Sequence, residues 1–128
     1  MGLVGSFGNK REKGRHFEAK AAGYLKKKGF EITAVNYETK FGEIDIVAEK
    51  KKENLIVFVE VKAREDYTGA HPLEAVDRRK QNVIIRCARA YMMENNVEGK
   101  YIRFDVAGLL TSGKHIVSME YIEDAFQA

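Results

Sequence analysis

Three charged residues stand where apolar ones are expected. Asp45 falls inside Glu43–Ala48, where Ile44, Ile46 and Ala48 alternate with Glu43, Asp45 and Val47, while Glu60 and Lys62 end the apolar run Leu55-Ile56-Val57-Phe58-Val59. Side chains two apart on a strand share a face, so Glu60 and Lys62 point the same way. If the chain turns between Lys52 and Glu53, antiparallel pairing sets Asp45 opposite Glu60, with Cβ atoms about 5 Å apart. Carboxylates that close repel each other unless a cation lies between them. Hard oxygen donors with open positions suit Mg²⁺ or Mn²⁺. Such an ion lowers the pKa of a bound water and neutralises charge developing on a phosphate, which is the chemistry of phosphodiester hydrolysis. In that chemistry Asp45 and Glu60 hold the ion, and Lys62 orients the water or stabilises the pentavalent phosphate.

A helix supplies a further acid. From Lys10 to Lys28, Phe17, Ala21, Tyr24 and Leu25 recur at helical spacing, and Gly29 stops the run. At about 100° per residue, Glu18 lies roughly 20° from Leu25 on that apolar stripe, so a carboxylate faces the sheet and must meet a cation. A metal at the acidic cluster or the Lys62 ammonium answers that need. Gln81 occupies the equivalent place on a second helix, with Ile84 and Ala88 at i+3 and i+7.

The elements that must position these residues follow from local pattern. Residues 30–37 and 43–48 read as strands, and residues 50–54 as a solvated hairpin tip. Residues 55–62, apolar on both faces, form the central strand. Residues 64–71 read as a loop. Pro72 opens a short helical turn through Val76, and Asp77 caps a second helix running to Glu94. Residues 101–110 and 115–122 complete the set as two strands around a turn at 111–114. The order is αβββαββ, which predicts an α/β domain with a mixed sheet and helices on both faces. Residues 1–9, with three glycines, read as a mobile tail, and residues 10–128 as one domain.

Composition narrows the function classes. The chain has 128 residues, 45% of them hydrophobic and 32% charged, and a net charge of only +3. A polyanionic partner is compatible with that balance but not required by it. Basic residues flank the acidic positions: Lys13 and Arg15 precede Glu18, and Arg78, Arg79 and Lys80 open the helix of Gln81. That layout suits the backbone of a nucleic acid. Cys87 is the only cysteine, which excludes an intramolecular disulfide and a cysteine zinc cluster. Its neighbours at helical spacing are apolar, so it reads as a buried thiol of a reducing, cytoplasmic setting. No apolar stretch approaches a membrane span. His16, His71 and His115 are too scattered for a local metal motif, and only His71, after the central strand, is placed to act as an accessory base.

Gly42-Glu43-Ile44-Asp45-Ile46-Val47, Val57-Phe58-Val59-Glu60-Val61-Lys62-Ala63-Arg64 and Arg79-Lys80-Gln81 resemble the YraN-like family of predicted nucleases. That family belongs to the PD-(D/E)XK superfamily and is similar to archaeal Holliday-junction resolvases. The likeness runs from Glu18-Ala19-Lys20-Ala21-Ala22 to Ile122-Glu123-Asp124-Ala125-Phe126. It implies a restriction-endonuclease-like core, Asp45 and Glu60 as metal ligands and Lys62 as the catalytic lysine. Glu18 matches the helical glutamate and Gln81 the polar residue of the following helix. Two positions depart from the pattern: Ile44 replaces the proline of the superfamily name, and Phe17 stands where glycine is common. The resemblance implies DNA as partner, branched or structured DNA as a substrate form and, by analogy, a homodimer. A core of this kind can also bind nucleic acid or act as a scaffold without cutting, the alternative function class.

Overall fold

The computed structural model describes residues 10–65 and 71–128, with side chains from residue 14 onward. The tail expected at residues 1–9, the middle of the loop expected at 64–71 and the Lys13 side chain therefore lie outside the described residues. Helix α1 spans Lys10–Lys27 and ends at Gly29, whose φ of 94° suits a residue without Cβ. Strands β1 (Glu31–Thr39), β2 (Gly42–Lys50) and β3 (Leu55–Arg64) follow. A single 3₁₀ turn at Lys51–Glu53 closes the β2–β3 hairpin, and Asn54 takes the left-handed conformation after it. A second 3₁₀ turn, Pro72–Ala75, leads into α2 (Arg78–Glu94), capped by the Asp77 carboxylate accepting from the Lys80 N–H. Strands β4 (Tyr101–Ser112) and β5 (His115–Phe126) end the chain.

The five strands form one sheet in the order β1-β2-β3-β4-β5, antiparallel throughout except for β3 and β4, which run parallel across the α2 connection. The α/β class, the element order and the mixed sheet with a helix on each face are those expected from sequence. The strands run one to four residues longer than their patterns suggested, because cross-strand pairing carries them past the ends of those patterns.

β3 is the middle strand, and every residue from Leu55 to Glu60 is buried. Its even-numbered side chains Ile56 and Phe58 meet Ile84, Ile85, Cys87, Ala88 and Tyr91 of α2. Its odd-numbered side chains Val57 and Val59 meet Ala21 and Leu25 of α1. Each large aliphatic or aromatic side chain so buried contributes about 1.5–3 kcal/mol, and β2 adds Ile44 and Val47 on the α2 side and Ile46 and Ala48 on the α1 side. At Gly108 of β4, a Cβ atom would lie 2.3 Å from the Pro72 ring, so only glycine lets the turn before α2 rest on the sheet.

Asp105 of β4 is fully buried and fully answered. Arg103 grips both its oxygens at 2.9 Å, the Tyr121 hydroxyl donates at 2.6 Å and the Asp124 N–H at 2.9 Å. Asp124 takes a positive φ of 52°, turning its N–H inward. Burial lowers the pKa of Arg103, but Asp105 outweighs it and the net direction is up. Burial and then the Asp105 charge raise Tyr121 far above the ordinary phenol range.

Candidate metal centre

The β2–β3 ladder pairs Ile46 with Val59 and Val47 with Phe58, the register that a turn between Lys52 and Glu53 requires. Continued by one residue, it brings Asp45 to Glu60. The straight alternation expected for β2 does not persist that far. Ile46 and Ala48 pack on the α1 side, whereas Ile44 packs on the α2 side, so the strand changes face at Asp45. On β1, Asn36 occupies the matching gap between the pairs Val35–Ile46 and Tyr37–Ile44, with φ at 52°. Such irregular pairs re-aim a side chain and end a ladder. Here the Val61 N–H donates to Asp45 Oδ2 at 2.8 Å, so the Asp45 side chain takes over where strand pairing stops.

Asp45 is thereby placed between two groups of charges. On one side, ligand oxygens of Glu18, Glu43 and Asp45 lie within 4.8 Å of one another. Among the described residues, no lysine or arginine forms an ion pair with any of the three. Burial, then the Glu60 charge and a hydrogen bond between the two carboxyls, with Glu43 adding further, push Asp45 up to about 7 despite the Val61 N–H. Burial also pushes Glu18 up to about 7, with Asp45 and Glu43 adding to it, while the Asn36 amide, donating at 2.8 Å, and the Arg15 charge pull the other way. Concentrated negative charge with oxygen-only donors fits a hard divalent cation.

On the other side stands Glu60, 5% exposed. Its Oε2 lies 3.6 Å from Lys62 Nζ and 3.7 Å from Lys80 Nζ. The expected neighbourhood of Asp45, Glu60, Lys62 and Glu18 is thus assembled, with Glu60 held by two lysines rather than grouped with the three carboxylates. Lys80 was expected to contact nucleic acid, yet it turns inward to Glu60. Gln81 is half-buried, but its amide serves the start of α2: it accepts from Arg78 Nη1 at 3.1 Å and donates to the Val76 carbonyl at 3.0 Å. Arg15, Arg78 and Arg79 are exposed. His71 Nδ1 accepts from the Leu73 N–H, and its Nε2 lies 3.2 Å from Glu120 Oε2, so the turn at Pro72 occupies that imidazole.

Glu43 is the member of the cluster that sequence reasoning left out. Its signal was its place two residues before Asp45 on one strand, the spacing that had joined Glu60 to Lys62. Cys87 is a buried free thiol that accepts from the Thr39 hydroxyl at 3.2 Å, as its apolar neighbours suggested. No helix among the described residues is long and apolar enough to cross a membrane.

Comparison with known proteins places this constellation in a family. The family described as "Uncharacterised protein family UPF0102" matches residues 17–109, a span that holds Glu18, Glu43, Asp45, Glu60, Lys62, Lys80 and Gln81. A UPF0102 protein of Sulfurihydrogenibium sp. (strain YO3AOP1) is 41% identical over 112 residues, covering 88% of this chain and 94% of the relative. A UPF0102 protein of Clostridium botulinum (strain Loch Maree / Type A3) is 41% identical over 126 residues, covering 97% and 94%. A third, of Clostridioides difficile (strain 630), is 42% identical over 118 residues, covering 92% and 99%. With most of its length matched on both counts, the chain belongs to the UPF0102 family, which the YraN-like motifs had pointed to under another name.

Proposed function

We propose that this protein is a Mg²⁺- or Mn²⁺-dependent DNA endonuclease that hydrolyses phosphodiester bonds, with branched or structured DNA as the form suggested by its resemblance to resolvases. The observation that carries the proposal is the asymmetry around Asp45: three carboxylates that form no ion pair with a lysine or arginine among the described residues on one side, and Glu60 with two lysines on the other. A bound divalent ion would supply charge neutralisation at the phosphate and a water of lowered pKa. Asp45, Glu18 and Glu43 are the donors grouped to hold it, with Glu60 beside Asp45 as the fourth carboxylate. Asp45 and Glu18, with carboxyls near pH 7, release protons on taking up a cation. Glu60 keeps Lys62 at the edge of the cluster, and the Lys62 side chain, 35% exposed, can donate to a water or a phosphoryl oxygen. The same reading places the protein in the cytoplasm and, for cutting both strands of a duplex, as a two-fold homodimer.

The experiment compares wild type with Asp45→Ala and Glu60→Ala. Cleavage of duplex, single-stranded and four-way-junction DNA is followed in Mg²⁺ and in Mn²⁺, and Mn²⁺ binding by calorimetry. Wild type should cut at least one substrate and both variants should lose at least about a hundredfold in rate, a loss of about 2.7 kcal/mol in transition-state stabilisation. Asp45→Ala should also weaken Mn²⁺ binding by about tenfold or more. Equal cleavage by all three proteins sinks the site. DNA binding with no cleavage in either metal favours the non-catalytic alternative.

A further inference from the structure

The solvent face of α2 is not accounted for by the acidic centre. The helix carries Arg78, Arg79, Lys80, Arg86 and Arg89 against a single acid, Glu94, and no acidic residue stands in its first turn. At 100° per residue, Arg79, Asn82, Arg86 and Arg89 fall in one arc with Arg78 at its edge, opposite the buried Ile84, Ala88 and Tyr91. Arg78, Arg79, Asn82, Arg86 and Arg89 are all exposed. Lys80 is outside the arc, on Glu60.

Among the described residues these charges find no carboxylate partner, and Arg79, Arg86 and Arg89 form no ion pair. Among the described residues Arg78 donates only to neutral acceptors, Gln81 Oε1 at 3.1 Å and the Gln127 carbonyl at 3.3 Å, which fix its guanidinium without cancelling its charge. Asp124 and the Ala128 terminus border the same groove as Arg89 but form no ion pair with it. Cations in the first turn also oppose the helix macrodipole, so Arg78 and Arg79 disfavour the helix that bears them. A row left without carboxylate partners, two of whose members oppose the dipole of their own helix, is explained by a partner that supplies the negative charge.

The row has a length and a spacing. From Arg78 to Arg89 it runs about 16 Å along the axis, and Arg79 and Arg86 are two turns, about 10 Å, apart. Phosphates of one duplex strand rise about 3.4 Å per nucleotide, so that interval spans about three of them. Guanidinium groups match phosphate oxygens in pairs of hydrogen bonds, which favours arginine over lysine on such a surface.

We propose that the outer face of α2 binds the phosphate backbone of a DNA duplex through Arg78, Arg79, Arg86 and Arg89, holding a stretch of duplex away from the acidic centre. The choice of DNA as the polyanion rests on the nuclease reading; the interaction itself rests on the unneutralised arginine row. It adds Arg86 and Arg89 to the basic residues recognised from sequence, with Lys80 beside Glu60 outside the row.

The test is fluorescence anisotropy of a labelled blunt duplex in EDTA across a salt series, which measures backbone binding with the metal centre empty. Arg86→Gln/Arg89→Gln is compared with Lys27→Gln/Lys52→Gln, which removes two exposed positive charges from α1 and the β2–β3 turn. The arginine pair should lower the steepness of log K against log salt by about 1.8, about 0.9 for each phosphate no longer neutralised, and the lysine pair should leave it near the wild-type value. Arg86→Lys/Arg89→Lys should keep most of the slope, because each position retains a point charge. All the exchanged side chains are exposed, and thermal melting confirms an unchanged fold. An arginine pair that binds like wild type, an equal drop in the lysine pair, or a wild type that does not bind duplex overturns the proposal. If the wild type cuts DNA with Mn²⁺ while the arginine pair binds normally, the row fails and the nuclease reading stands. If the wild type binds duplex through the row but cuts nothing, the reverse holds.

Discussion

Asp105 and Asp45 are both set into the sheet, one on β4 and one on β2, and their surroundings differ in kind. Asp105 is shut off from solvent and has a two-pronged arginine, a phenol and a backbone N–H in its place. Asp45 has one backbone N–H, and its other close neighbours are the carboxylates of Glu18, Glu43 and Glu60. Removing a carboxylate from water is costly unless the fold returns charge-assisted hydrogen bonds. This chain makes that return in full at Asp105, so its withholding at Asp45 is not a general feature of the fold. The difference separates a carboxylate that organises β4 and β5 from one grouped with other carboxylates that could hold a cation.

The comparison breaks most readily at Asp105. Asp105→Ala leaves Arg103 and the Tyr121 hydroxyl without their shared acceptor, and should lower stability by about 3–5 kcal/mol in urea unfolding while leaving Mn²⁺ affinity unchanged. If Asp45→Ala destabilised the metal-free protein by as much, the two aspartates would be doing the same work.

A smaller effect sharpens the other half. Asp45 is pushed up to about 7 from an ordinary 3.8, so the native state binds its proton more tightly than the unfolded chain does. The carboxyl therefore opposes folding only when ionised. Without divalent metal, stability should be greatest near the acid end of this window, fall as pH rises from about 4 to about 7, and level off above it. Each unit of pKa shift corresponds to about 1.4 kcal/mol, and screening at a half-buried group brings the expected fall to about 2 kcal/mol. Asp45→Asn should flatten this part of the profile in urea unfolding at a series of pH values. A profile as steep as wild type would assign the effect to other groups.

The smallest change is Tyr121→Phe, which removes one of Asp105's donors and leaves Arg103 and the Asp124 N–H in place. A decrease of about 1 kcal/mol is expected in the same unfolding assay. A decrease as large as that of Asp105→Ala would make the phenol, rather than the arginine, the main counterweight.

Much of this geometry was legible in the residues. The apolar run of β3 and the solvated tip at Lys51–Glu53 are local signals that set the register bringing Asp45 to Glu60, and the Asp77 cap is a local signal for the start of α2. Glu18 was legible because a carboxylate on an apolar helical stripe needs a partner across the interface. The change of face at Asp45 was not legible, because it depends on Asn36 adopting a positive φ on the neighbouring strand, which no pattern within Glu43–Ala48 contains. Lys80 reads as one more solvated cation until the fold brings Glu60 beside it. Asp105 was passed over for the same reason: apart from nearby Arg103, its partners Tyr121 and Asp124 lie 16 and 19 residues away, brought close only by the β4–β5 pairing.

The change of face at Asp45 also bears on how the two halves of the molecule fluctuate. The sheet separates an α1 core from an α2 core, and no side chain belongs to both. At Asp45 charge crosses that divide, since Glu18 rides on α1 while Glu60 is tied to α2 through Lys80. A cation held there would link partial openings that otherwise occur independently. Amide protons of α1 and α2 would then exchange as one cooperative unit when metal is bound and as two when it is absent.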